Sequence, residues 1–186
     1  LTASNSFGNK LDEISKLKSK LDSYRPFDLS ALKRLEDNLV LEQIYNSNAI
    51  EGNSLTLRET LVVISHGITV SGKPIKDHLE AVNLLEAIYY LQDIVNRKIE
   101  LSENVVKDFN YMVLDNISQY KGSRGVYRNV PVSIAGSRHI PPQPYRVSKD
   151  MEELFIWYNE NKFSLHPVHL ASEFHHKLTY IHPFID

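Results

Sequence analysis

Apolar residues recur along most of this chain at the three- and four-residue spacing of a helix face. The first stripe precedes Pro26 and consists of Leu11, Ile14, Leu17 and Leu21. A second stripe runs over residues 32–45, with Asp28 or Ser30 placed to cap its first turn. Gly52 follows at the position where a left-handed residue commonly ends a helix. The pattern therefore predicts two helices before residue 53.

Further helices are predicted from residue 56 to residue 181. Thr56 and Glu59 have the spacing of a capping box, and Gly67 ends the helix that they begin. The longest stripe covers about residues 75–95. A proline at the start of the last helix suits its first turn, where no amide hydrogen is needed. The predicted starting points or caps are Thr56, Ile75, Ser102, Ser148 and Pro167.

Residues 118–147 differ from the rest because they hold four of the eight prolines. Val130–Ile134 and Ser137–Ile140 flank Ala135-Gly136, which is typical of two short strands joined by a turn. The sequence thus predicts an all-α fold, a helical bundle with one small β-hairpin.

Composition narrows the class of protein. The chain has 186 residues, a net charge of −2 and no cysteine, which excludes a disulfide framework and a thiolate metal site. No basic patch of the kind that binds nucleic acid stands out, and no apolar run reaches the roughly 20 residues that span a bilayer. We therefore expect a cytoplasmic protein that binds neither nucleic acid nor membrane. The stripe of residues 11–21 can pack on the core or on a second subunit, so a homo-oligomer stays open.

The last five residues offer chemistry. His182 and Asp186 stand four positions apart, and Pro183 and Phe184 between them are suited to anchor the turn to a core. Histidine is a suitable general base near neutral pH, and a carboxylate is a suitable Mg²⁺ ligand beside phosphates. From these residues alone, a capping histidine beside a surface aspartate remains the alternative.

Two other sets of residues have ordinary structural explanations on their own. Ser47 and Glu51 share a helix face just before Gly52, which is also what an ordinary helix terminus looks like. Five histidines fall between residues 166 and 182, but they lack the spacing of a metal-binding helix. We interpret them as packing or hydrogen-bonding residues.

Residues 182–186 resemble the first five positions of the Fic signature, HPFxxGNGRxxR. Residues 125–128 and 139–142 resemble the start and end of the flap region of Fic proteins. Ser47–Gly52 resembles their inhibitory motif, S/T-x-x-x-E-G/N, in the class whose inhibitory helix is N-terminal. The residues that resemble the helix after the flap are Val147, Met151, Leu154 and Trp157.

This resemblance implies an activity and a division of the chain. Fic proteins typically transfer AMP from ATP to a Ser, Thr or Tyr hydroxyl of another protein. Residues 1–54 would be an N-terminal helical extension with the inhibitory helix, and residues 55–186 a Fic core that is incomplete at its C-terminus. The part GNGR, which holds the phosphates in the family, does not appear, so we expect this stretch to bind ATP poorly by itself.

The resemblance also assigns roles to residues. His182 would be the catalytic base, and Asp186 would hold Mg²⁺ against the phosphates of ATP. Ser47, Glu51 and Gly52 would form the inhibitory motif, with Glu51 pairing with the second arginine of the signature. The flap would present the target protein or touch the nucleotide; its residues are Ile134, Ala135, Gly136, Ser137, Arg138 and His139.

Two other functions stay open at this stage. The same site can work in reverse as a hydrolase that removes AMP from a modified protein, with Glu51 placing the water. The second alternative is a binding module without turnover, in which the flap captures a peptide by strand addition.

Overall fold

The described part of the chain, residues 2–134 and 136–185 of a computed structural model, consists of seven α-helices and one 3-10 turn, and none of these residues is in a strand. The helices are α1 (Thr2–Asp22), α2 (Leu29–Ile50), α3 (Leu57–His66), α4 (Ile75–Asn96), α5 (Glu103–Val113), α6 (Pro144–Asn161) and α7 (Pro167–Ile181). The 3-10 turn is Ser118–Tyr120. The predicted all-α fold is confirmed.

Local capping explains where several helices begin. The Asp28 carboxylate accepts a hydrogen bond from the backbone amide of Ala31 at 2.7 Å and so caps α2. Thr56 and Glu59 make both bonds of the predicted capping box at the start of α3. Gly67 ends α3 with a left-handed φ of 62°. Each of these features was predicted from the sequence.

The predicted start of α6 was wrong. Ser148 lies inside the helix, which begins four residues earlier at Pro144 and has Gln143 at its cap position. The fixed φ of a proline suits the first helical position, where its missing amide hydrogen costs nothing. A serine followed by a helical stripe was therefore the weaker of two competing start signals.

The first half of the molecule packs around α4, which contacts α2, α3 and α5. Its buried residues form what we call the N-terminal cluster: Ile44, Leu55, Val63, Ala81 and Ile88. Burial of a Val, Leu or Ile side chain typically contributes about 1.5–3 kcal/mol. This cluster fixes the C-terminal half of α2 against α4.

The second half packs α6 against α5 and α7. Its buried residues form the C-terminal cluster: Val106, Val147, Met151, Leu154, Phe155 and Ile181. Ile181 is the last residue of α7, so the end of this helix is tied directly to the core. The segment after α7 therefore starts from a fixed point.

The predicted β-hairpin is absent as a pair of strands. Residues 130–134 and 136–140 have no strand conformation, although the chain does turn there: the Ser137 amide donates to the Ile134 carbonyl at 3.1 Å, and Gly136 has a φ of 74°. Pro131 and Pro141 lack the amide hydrogen that a ladder requires. Ala135 lies outside the described residues. The flap is thus a loop, not a strand pair.

Candidate active site at the end of α7

His182 ends α7 in an uncommon backbone conformation. Its φ and ψ are 48° and 67°, the left-handed region that glycine usually occupies at a helix end. Its amide donates to the Leu178 carbonyl at 2.9 Å, and its side chain is half-buried. A non-glycine residue in this region costs roughly 1–2 kcal/mol, so the surrounding contacts must impose it.

The next two residues hold the turn against the protein. Pro183 is buried, and its carbonyl accepts a hydrogen bond from the Arg128 amide at 2.9 Å. Phe184 packs against the C-terminal cluster, with its ring centroid 5.6 Å from that of Tyr127. Residues 182–184 therefore form a fixed turn.

Arg128 contributes most of the polar contacts to this turn. It is only 3% exposed. Its Nε donates to the His182 carbonyl at 2.7 Å, and its Nη2 donates to the carbonyls of Pro142 at 2.6 Å and Ile181 at 3.3 Å. Its Nη1 donates to the Val130 carbonyl at 3.2 Å. Burial lowers the pKa of Arg128, but the guanidinium starts so high that it stays charged at neutral pH.

The positive charge of Arg128 faces the negative end of a helix. The carbonyls of Ile181 and His182 are among those that an α-helix leaves without partners at its C-terminus. A cation there interacts favourably with the helix dipole. This arrangement explains how the guanidinium can be buried with backbone oxygens as its hydrogen-bond partners.

Tyr127 links the same loop to α5. Its hydroxyl donates to the Glu103 carboxylate at 2.7 Å, and the Lys107 ammonium lies 4.2 Å from its ring centroid. Burial first, and then the Glu103 hydrogen bond and charge, raise the pKa of Tyr127, so the phenol stays protonated at any physiological pH. Tyr127 thus joins α5 to Phe184.

Gly125 lets this loop approach α5 closely. It has a φ of 67°, and its amide donates to the Asn110 side chain at 2.9 Å. A Cβ at this position would lie 3.2 Å from the Tyr111 Cβ and 3.3 Å from the Lys107 carbonyl oxygen. Only glycine satisfies both the backbone angle and the space.

We expect Gly125→Ala to lower the free energy of unfolding by about 2–3 kcal/mol, because it combines left-handed strain with a clash. The matched control is Gly72→Ala, since Gly72 has a φ of 79° but open space around it, and this change should cost only about 1 kcal/mol. Urea unfolding followed by circular dichroism measures both. Equal losses would mean that the contact with α5 adds nothing.

The structure brings one flap residue to the end of α7. The His139 ring lies 4.2 Å from the Tyr180 ring, and its Nε2 donates to the Tyr180 carbonyl at 2.8 Å. Because a carbonyl can only accept, Nε2 must carry the proton. The Ser137 hydroxyl accepts from the His139 amide at 3.0 Å, whereas Gly136 and Arg138 are exposed. His139 therefore lies close in space to the turn of His182.

An open groove lies beside this end of α7. Its volume is about 730 Å³, and it runs between α6 and the last turns of α7. Residues of its lining include Ile140, Tyr145, Trp157, Lys177 and Tyr180. The groove is therefore adjacent to the turn and to the end of the flap.

The predicted inhibitory residues lie at the exposed end of α2. Ser47 and Glu51 are exposed, Glu51 caps the helix, and Gly52 has a φ of 86° as the sequence predicted. The two residues that follow are tied to α4. Asn53 donates to the carbonyl of Asp77 and to the Glu80 carboxylate, each at 2.9 Å.

Ser54 completes the tie to α4. Its amide and hydroxyl donate to one carboxylate oxygen of Asp77, at 2.7 and 2.6 Å. Asp77 is buried, and these donors supply the hydrogen bonds that a buried carboxyl group needs. The end of α2 is thereby fixed relative to α4.

Metal binding has little support among the described residues. Asp186 lies outside them, and within residues 2–134 and 136–185 no group of three His, Asp or Glu side chains is arranged to hold a metal ion. His166, the cap residue of α7, has other partners. Its Nδ1 accepts from the Val168 amide at 3.2 Å, and its Nε2 lies 3.0 Å from the Ser15 hydroxyl of α1.

Sequence comparison connects this geometry to known proteins. The model of the Fic/DOC family matches residues 100–186. Residues 100–186 belong to the Fic/DOC family. Protein adenylyltransferase Fic from Drosophila persimilis is 34% identical over 181 residues, which are 95% of this chain and 35% of that protein. The Drosophila melanogaster protein of the same name is 33% identical over 181 residues, 95% of this chain and 36% of its own length.

The chain thus spans about a third of the Drosophila relatives that it matches. Solved Fic structures agree with the fold. A Fic domain containing signaling protein from Bacteroides thetaiotaomicron has a TM-score of 0.83 and 32% identity, over 93% of this chain and 66% of that one. Fic-1 from C. elegans, at 24% identity, shares the fold with a TM-score of 0.85 over 99% of this chain and 54% of its own. The predicted family is confirmed.

None of the helices described between residues 2 and 185 is long and apolar enough to cross a membrane.

Sequence reasoning missed two residues that organise the site, Arg128 and Asp77. Arg128 lies in the segment that resembles the flap region, but no local pattern distinguishes it from a surface arginine. Two of its partners are carbonyls 54 and 53 residues away. Asp77 did not stand out in the sequence, because acidic residues are common in the first turn of a helix, where they interact favourably with the helix dipole.

Proposed function

We propose that this protein is a protein adenylyltransferase that transfers AMP from ATP to a Ser, Thr or Tyr hydroxyl of a target protein. The observation that carries the proposal is the turn at the end of α7, which holds the half-buried His182. This turn lies within residues 100–186, which match the Fic/DOC family model. The name of the Drosophila relatives, protein adenylyltransferase Fic, supports this activity.

The chemistry assigns one proton transfer to His182. A hydroxyl is a poor nucleophile at neutral pH, so a base must accept its proton as attack begins. The hydroxyl oxygen forms a bond to the α-phosphorus of ATP, and the bond from that phosphorus to the bridging oxygen of the β-phosphate breaks. The proton moves to the His182 imidazole, and pyrophosphate leaves with the electron pair.

Asp186 remains our candidate for a Mg²⁺ ligand. A single carboxylate together with substrate phosphates and waters is a common way to hold this ion, so the absence of a larger acidic cluster among residues 2–185 is compatible with it. The ion would offset negative charge on the phosphates. The contribution of the described residues is to fix the turn from which Asp186 follows.

The flap residues Ile134, Ala135, Gly136, Ser137, Arg138 and His139 would contact the nucleotide or the target. The contact of His139 with Tyr180 supports this role, because it keeps the flap beside the end of α7. Gly136, Ser137 and Arg138 at the tip of the flap are exposed, so they are open to contact with a partner. The division at residue 54 and the cytoplasmic location stay predictions.

Labelled ATP tests the proposal directly. When the full-length protein is incubated with ATP labelled at the α-phosphate, we expect label on protein after denaturing electrophoresis. ATP labelled at the γ-phosphate is the matched control and should leave no label, because the β- and γ-phosphates depart as pyrophosphate. Label from the γ-phosphate instead would identify a kinase. If the α-label never appears but pre-modified protein loses its AMP, the site acts as a hydrolase.

A further inference from the structure

One buried guanidinium connects the turn of His182 to both ends of the flap. We propose that Arg128 is a positioning residue that fixes the flap relative to the His182 imidazole and thereby sets the rate of transfer. The inference rests on the proposed function for its kinetic part, and on geometry alone for its structural part.

The first half of the connection is the turn itself. Arg128 bonds to the carbonyls of Ile181 and His182 through its side chain, and to the Pro183 carbonyl through its amide. Three consecutive carbonyls of the turn therefore point at one residue. These bonds are suited to hold His182 in its left-handed conformation, which is unfavourable without them.

The second half is the flap. Val130 precedes the flap residues 134–139 and Pro142 follows them, and the carbonyls of both accept from the Arg128 guanidinium, at 3.2 and 2.6 Å. Residues 130–134 and 136–140 have no strand ladder that could hold the two limbs together. Side-chain bonds from Arg128 take the place of such a ladder.

The position of the flap and the position of His182 are therefore set by the same group. If the flap delivers the target hydroxyl, the distance from this hydroxyl to the His182 imidazole depends on the planar, forked arrangement of the N–H groups of Arg128. Misplacement of reacting groups by about 1 Å can reduce a rate roughly 100-fold. Lysine retains the charge, but its single nitrogen cannot reproduce several divergent bonds.

The test compares Arg128→Lys with the wild type in the full-length protein. We expect the lysine variant to be folded at 10 °C by circular dichroism. Its kcat for AMP transfer should fall at least tenfold, while the KM for ATP should change less than threefold. Ile94→Ala is the matched control, since it destabilises a buried site of α4 outside the turn and the flap, and its kcat should stay within twofold.

Hydrogen–deuterium exchange on the same proteins gives a readout that does not need catalysis. In Arg128→Lys, uptake should rise in peptides covering residues 126–142 and 178–185 and stay unchanged in α2 and α3. If the wild type transfers no AMP, the proposed function fails, and this pattern alone decides the structural claim.

Four results would overturn the proposal. The first is a kcat within twofold of the wild type in folded Arg128→Lys. The second is an equal loss of kcat in Ile94→Ala, which would indicate general destabilisation. The third is exchange that rises evenly over the chain. The fourth is a lysine variant that does not fold even at 10 °C, because Arg128 would then be a requirement of the fold instead of a positioning residue.

Discussion

Replacing His182 by alanine in the full-length protein is expected to reduce AMP transfer by roughly 100- to 10,000-fold, the usual contribution of a general base. The change should leave the fold intact. Alanine keeps the same left-handed backbone, the His182 amide and carbonyl keep their bonds to Leu178 and Arg128, and the lost side chain is only half-buried. Initial rates with α-labelled ATP measure the effect, and thermal unfolding verifies the fold.

His66→Ala is the matched control, because His66 is an exposed histidine in the last turn of α3, outside the site. It should transfer AMP at the wild-type rate. If His182→Ala transfers AMP at the wild-type rate, His182 is not the general base. A loss shared by both variants would point to a change in the protein other than the missing base.

Replacing Glu51 by glycine is expected to raise AMP transfer at least tenfold. In the hypothesis of autoinhibition, the Glu51 carboxylate pairs with the arginine that would otherwise bind the phosphates of ATP. If this pairing is favoured by about 1.4 kcal/mol, it lowers the rate of transfer tenfold. Glu51 is exposed and is the cap of α2, a position that tolerates glycine. The ties of Asn53 and Ser54 to α4 remain, so α2 should stay in place. Auto-modification by α-labelled ATP measures the gain.

Two further variants separate charge from backbone effects. Glu51→Gln removes the charge and keeps the helix-compatible side chain, so it should also activate. Glu42→Gln removes an exposed carboxylate elsewhere on α2 and should leave the rate unchanged. If neither change at residue 51 increases transfer, autoinhibition by Glu51 is discarded.

Local signals in the sequence were sufficient for most of the helices. Thr56 and Glu59 form the predicted capping box, and Pro167 begins α7 as predicted, because both features involve contacts within one turn of backbone. Ser148 failed as a cap because Pro144 offered a competing start. Alternating residues at 130–134 suggested a strand, but a strand depends on a partner and on amide donors that a proline-rich segment lacks.

Only part of the candidate site could be predicted from the sequence. The motif around His182 is contiguous and could be found by inspection. Arg128 lies 54 residues away from His182, and no local pattern reports a bond from a side chain to a distant carbonyl. The same is true of Asp77 and Ser54, which are 23 positions apart. Such contacts are set by tertiary packing. The Ser54–Asp77 contact depends on how α4 lies beside the end of α2, and the Arg128–His182 contact depends on how the loop before α6 meets the end of α7.

The two signature motifs are anchored in different halves of the hydrophobic interior. The end of α2 belongs to the N-terminal cluster, whereas the turn after α7 belongs to the C-terminal cluster. One set of side chains thus stabilises the position of α2, and a different set stabilises the turn of His182. Under the proposed function, substitutions in the N-terminal cluster would change the strength of inhibition by Glu51, and substitutions in the C-terminal cluster would change the rate of transfer at His182. The two traits could then evolve separately.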